Sequence, residues 1–135
     1  MAKKKKSTHE AATTVLIEGV PITPYEEDPT FAMLRTRLAE INKTPGVTGY
    51  ILRNANSATI DLKNQEKLTD YAILSSQAIG TSEELSELFD IGKVNHVLIE
   101  GKNQKILCLT KESNIAAIFM ENDTDHKAII KQLSR

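Results

Sequence analysis

Few residues of this 135-residue chain carry reactive side chains, and they are scattered. His9, His96 and His126 could each bind a metal or move a proton, but no H-E-x-x-H pair and no cysteine cluster accompanies them, so no metal centre is expected. His96, within a strand pattern, reads as a surface or interface residue, with a pH-sensitive contact as its functional alternative. Cys108 is the only cysteine, which rules out an internal disulfide. It shares a strand face with Ile106 and Thr110 and lacks an evident basic neighbour, so it is expected to be an inert, buried thiol. Asn122-Asp123-Thr124-Asp125 has the flavour of a calcium loop without its glycine and distal glutamate, and reads as a helix cap. Arg35, Arg37 and Arg53 are expected to be surface arginines rather than fingers for a transferring phosphoryl group. There is no G-x-x-x-x-G-K-[ST] and no strand-linked G-x-G-x-x-G, so neither phosphate-binding device is available. The expectation is a protein with no catalytic residues, no cofactor and no metal.

Composition narrows the classes further. With 40% hydrophobic and 26% charged residues the chain suits one ordinary globular domain, and a net charge of −1 argues against a nucleic-acid binder working through its overall field. Lys3 to Lys6 form a basic run without an aromatic neighbour. It is expected to be a solvated tail, with attachment to nucleic acid or anionic lipid as the alternative. No run of 18 apolar residues and no signal-peptide pattern occurs, so a cytoplasmic protein without a transmembrane segment is expected. Residues 1–27 read as a flexible basic tail followed by a β-prone, proline-containing strap or edge strand. Residues 28–135 read as the folded domain.

The element everything else must serve is Gln65 to Asp90. At helical spacing, Leu68, Tyr71, Ala72, Leu74, Ser75, Ala78, Ile79, Ser82, Leu85, Leu88 and Phe89 fall on one side and form an arc about half the circumference wide. A helix that covers one sheet needs only about 100° of apolar stripe, so this one asks for a second covering surface. Ser75 and Ser82 near the centre of the arc suit the close approach of another backbone. Gly80 interrupts the pattern, and Thr81-Ser82-Glu83-Glu84 could cap a new helix, so one continuous helix and two short ones both remain open.

Around it, Asp28-Pro29 starts a helix with a stripe of Phe31, Leu34, Leu38 and Ile41, which Pro45-Gly46 stops. Val47 to Asn54 and Ala58 to Leu62 form a hairpin, with Val47, Gly49 and Ile51 expected on one face and Thr48, Tyr50 and Leu52 on the other. Val94 to Glu100, Lys105 to Thr110 and Ile115 to Met120 form a meander, because their connections are short. A last helix carries His126, Ile129, Ile130 and Leu133. The order α-β-β-α-β-β-β-α predicts an α+β domain with a five-stranded antiparallel sheet between helices.

From Asp28 to Leu133 this layout resembles the roadblock/dynein light chain family, with its profilin-like α/β/α sandwich. The likeness rests on Ile41-Asn42-Lys43-Thr44-Pro45-Gly46-Val47-Thr48-Gly49-Tyr50-Ile51-Leu52, a helix end, a PGV turn and an apolar strand. A short hairpin, a long helix and a meander follow. The resemblance implies a homodimer in which the long helices pack across a two-fold axis and the third strand joins its twin. The interface expected is Tyr71, Leu74, Ser75, Ala78, Ser82, Leu85, Val94, His96 and Leu98. It also implies a non-catalytic regulator or scaffold for a Ras-like small GTPase or a larger complex. The alternative is a sensory module holding a small molecule between helix and sheet.

Overall fold

The computed structural model of the chain describes residues 13–16, 28–63, 66 and 68–134. The lysine run, both prolines of the strap, and Gln65 at the expected helix start lie outside the described residues. The elements are β1 (Thr13–Leu16), α1 (Pro29–Ile41), β2 (Val47–Arg53), β3 (Ser57–Leu62), α2 (Leu68–Phe89), β4 (His96–Glu100), β5 (Gln104–Lys111), β6 (Asn114–Glu121) and α3 (His126–Leu133). The five expected strands are joined antiparallel in the order β3-β2-β6-β5-β4, and β1 adds a sixth strand beyond β3, with Thr13 opposite Ile60 and Leu16 opposite Ser57.

Helix α1 starts where its sequence demands. The Asp28 carboxylate accepts from the Thr30 N–H at 3.3 Å, and Pro29 occupies the first turn, where a missing N–H leaves nothing unpaired. Phe31, Leu34, Leu38 and Ile41 are all buried against Tyr50, Leu52, Leu107, Ile118 and Met120 of the sheet and Ile129 and Leu133 of α3. Hiding each such side chain contributes roughly 1.5–3 kcal/mol, so this face forms the firmer half of the molecule. After α1, Gly46 has a positive φ of 95°, and a Cβ there would overlap Thr124 Oγ1. Helix α3 is capped by Asp125, whose carboxylate accepts from the N–H groups of Lys127 and Ala128, so the acidic run is a helix cap.

A buried polar junction ties three elements together. Asn114, fully buried at the start of β6, donates from Nδ2 to Asp28 Oδ2 at 3.0 Å and accepts at Oδ1 from Asn54 Nδ2 at 3.0 Å. The start of α1, the β2–β3 turn and the β5–β6 turn are thereby held by one side chain.

Two expectations about the strands need correction. Val47 packs with Tyr50 and Leu52 on the α1 side, not with Ile51 on the α2 side. The register on β6 shifts between Val47 and Gly49, and such a bulge inserts one residue and reverses the alternation before it. The third strand of the domain begins at His96, so Val94 belongs to the loop that precedes it.

Candidate functional site

Helix α2 runs unbroken from Leu68 to Phe89, through Gly80. The second-helix start is not used: Ser82 Oγ donates back to the Ile79 carbonyl at 2.7 Å instead of capping. Such back-bonding satisfies a serine inside a helix. Ser75 does the same, donating to the Tyr71 carbonyl at 2.7 Å and the Ala72 carbonyl at 3.1 Å, and Ser76 donates to the Ala72 carbonyl at 3.0 Å. Arg53, at the end of β2, reaches that same carbonyl with Nη2 at 3.3 Å. This arginine ties the sheet to the helix.

The buried side of α2 is narrow, with only Ser75, Ile79 and Ser86 below the surface. Half-buried Leu68, Tyr71 and Ala72 pack beside Ile79 over Ile51, Leu62, Cys108, Ala117 and Phe119. The Tyr71 and Phe119 rings lie 5.0 Å apart. Burial pushes the Cys108 thiol up to about 11, which agrees with an inert thiol. Burial, and then the Asp61 charge, raise Tyr50 to about 12 on the other face of the sheet. Where α2 meets β4 and β5, a pocket lined by Ile79, Val97, Cys108 and Leu109 encloses about 10 Å³, room for roughly one water.

The rest of the helix is open. Ile73, Leu74, Leu85, Leu88 and Phe89 are 50, 59, 48, 76 and 68% exposed, and Ile91 after the helix is 73% exposed. Leu74, Ala78, Thr81, Leu85 and Leu88 recur at alternating steps of four and three, the spacing by which one helix seats against another. Ile99 of β4, 46% exposed, stands opposite Ile106 on the same face of the sheet as α2. β4 ends the sheet, so its outer backbone edge has no strand partner among the described residues.

Of the expected interface residues, Leu74 and Leu85 are exposed, Tyr71, Ala78, Ser82 and Val94 are half-buried, and Ser75 is buried. His96 is exposed on the edge strand, opposite Leu109. Leu98 is half-buried against the α1-side core, so its side chain belongs to the opposite layer from α2. Leu88, Phe89, Ile91 and Ile99 are missing from the expected set. Leu88 and Phe89 lie in the apolar arc, and Ile91 carries a readable signal as an apolar residue between Asp90 and Gly92.

The end of α2 is built unusually. The Ile91 N–H bonds the Ser86 carbonyl at 3.0 Å and the Asp90 N–H bonds the Glu87 carbonyl at 3.2 Å, the paired bonds of a Schellman cap. That cap places its left-handed residue at Asp90, with φ 55°, where glycine is the usual choice. The Ser86 hydroxyl closes the turn by donating to the Gly92 carbonyl. Glu83, Glu87, Asp90 and Lys93 line an open groove of about 550 Å³ on this turn. The last turn of α2 contains no basic residue.

Among the described residues, no group of three or more His, Cys, Asp and Glu is placed to hold a metal ion, and no helix is long and apolar enough to cross a membrane. No curated protein sequence matches the chain. Solved structures share its fold, among them the following two. One is a Roadblock/LC7 domain from Streptomyces avermitilis, with TM-score 0.64, 14% identity, and coverage of 73% of this chain and 87% of that one. The other is MglB of Myxococcus xanthus, with TM-score 0.66, 16% identity, and coverage of 84% and 90%. The sequence profile described as the Roadblock/LC7 domain matches residues 33–119, well over half the chain, and so the protein belongs to the Roadblock/LC7 family.

Proposed function

We propose that this Roadblock/LC7 protein is a non-catalytic, cytoplasmic homodimer that serves as a docking platform for a Ras-like small GTPase or a larger complex built around one. The observation that carries the reading is the open stripe of Leu74, Leu85 and Leu88, together with Ile99 and the unpaired edge of β4. A chain that leaves this many large apolar side chains in water is unfinished, and a second copy related by a two-fold axis covers helix with helix and edge with edge at once. Val94, His96 and Leu98 then contribute backbone and loop contacts, while the side chains that meet across the axis come from α2. The GTPase itself follows from the family resemblance, and the paired α2 helices supply its docking surface. Any effect on GTP hydrolysis acts by positioning the GTPase's own switch residues, as the described residues present no constellation of catalytic groups.

The reading is tested by mixing the purified full chain with a panel of Ras-like GTPases in both nucleotide states and following complex mass and phosphate release. A nucleotide-dependent complex with at least one member is the expected result; no complex with any of them would sink the GTPase assignment. The small-molecule alternative draws no support from the pocket lined by Ile79, Val97 and Cys108, which encloses about 10 Å³.

A further inference from the structure

We infer that the C-terminal turn of α2 docks a basic segment of a partner protein, with Phe89 and Ile91 as its apolar anchors and Glu83, Glu87 and Asp90 as its charge complement. The inference rests on the docking role proposed above and specifies the chemistry of what docks there.

Three local choices at this turn work against the stability of the chain alone. Carboxylates at Glu87 and Asp90 stand at the negative end of the helix dipole, where cations are favoured and no basic residue is present in the last turn. Asp90 occupies a left-handed backbone position that glycine takes without strain. Ile91, at the cap position whose side chain ordinarily packs back on the helix, is instead exposed, as are Leu88 and Phe89. Local rules broken together at one place mark a surface shaped for something other than folding.

A dimer seam along α2 does not account for all of it. Leu88 continues the four-three stripe and Phe89, four residues after Leu85 and about 40° from it, flanks that stripe, whereas Ile91 lies beyond the helix end, so a facing helix that covers Leu88 leaves Ile91 and the outer side of Phe89 free. The groove next to them is lined by Glu83, Glu87 and Asp90 against a single cation, Lys93. Apolar anchors rimmed by negative charge select a segment with large apolar side chains flanked by lysine or arginine.

The probe is an amphipathic helical peptide of about 14 leucine and lysine residues, compared by fluorescence anisotropy with its leucine–glutamate counterpart on the full-length protein. The lysine peptide is expected to bind about tenfold or more tightly than the glutamate peptide at roughly 50 mM salt, and the ratio should shrink at roughly 500 mM. The double variant Glu87→Gln with Asp90→Asn, which relieves the dipole conflict and so folds, should abolish the difference between peptides. Phe89→Ser with Ile91→Ser should weaken both. Equal binding of the two peptides, or an unchanged ratio in the Gln/Asn variant, overturns the inference. So does lysine-peptide binding that emerges only after removal of residues 1–12, which would make the chain's own lysine run the occupant. Loss of dimer mass in Phe89→Ser with Ile91→Ser overturns it in favour of a second copy. A GTPase that binds the wild type and the Gln/Asn variant equally well defeats this inference and leaves the proposed function standing. A failed GTPase panel with the peptide preference intact does the reverse.

Discussion

The two faces of the sheet are covered by helices of different ambition. Helix α1, 13 residues long, buries all four members of its stripe; α2, with 22 residues, buries Ser75, Ile79 and Ser86 and leaves larger apolar residues in water. On one side the big side chains meet the sheet and the work of folding is complete. On the other side Ser75, Ile79 and Ser86, flanked by half-buried Leu68, Tyr71 and Ala72, meet the sheet, while Leu74, Leu85, Leu88 and Phe89 stand in water. The difference teaches that apolar content alone does not locate a core: the side of a helix on which bulk is placed decides whether it serves folding or recognition.

The contrast can be broken at its strongest point first. Leu38→Ala, on the finished face, is expected to lower stability by about 2–5 kcal/mol, read as a shift in the urea midpoint. Leu74→Glu with Leu85→Glu, on the open face, should leave helix content unchanged while weakening self-association roughly 100-fold, about 3 kcal/mol, seen as a fall to single-chain mass in light scattering. If the second change unfolds the chain, or leaves its mass unaltered, the two faces do not differ as described. Asn114→Ala leaves Asp28 and Asn54 without their shared partner and should cost roughly 1–3 kcal/mol. Gly80→Ala meets nothing within 4 Å, so it should stabilise by about 1 kcal/mol without altering the oligomer.

The last effect concerns Cys108, and only in alkali. Burial raises its thiol from 9.0 to about 11, so the folded chain keeps its proton where the unfolded chain gives it up. The associated stability is therefore intact below about pH 9 and is lost as pH rises toward about 11. Comparing urea midpoints of the wild type and Cys108→Ala at about pH 8 and pH 10.5 isolates this contribution from that of Tyr50. An equal alkaline decline in both proteins would assign the loss elsewhere.

Much of the architecture could be read from the chain because the relevant signals are local. Asp28-Pro29 and Pro45-Gly46 bracket α1, short connections enforce the meander, and the over-wide arc of α2 announces exposed apolar surface. What escaped depends on pairing between distant strands. A two-residue alternation cannot register the bulge between Val47 and Gly49, so it puts Val47 on the Ile51 side when the bulge turns it toward α1. Val94, His96 and Leu98 share a spacing, but only the register opposite Leu109 and Leu107 directs Leu98 toward α1. Arg53 reads as a surface arginine until the fold brings Ala72 to it.

The short strand β1 has a bearing on how large this protein can grow. By pairing with β3 it covers one side of the sheet with only four residues, leaving β4 as the longer free border. Short terminal strands offer little template for further pairing. Under the proposed pairing through β4, the strand that the described residues leave outward at each end is this brief one, a poor template for growth into a fibre.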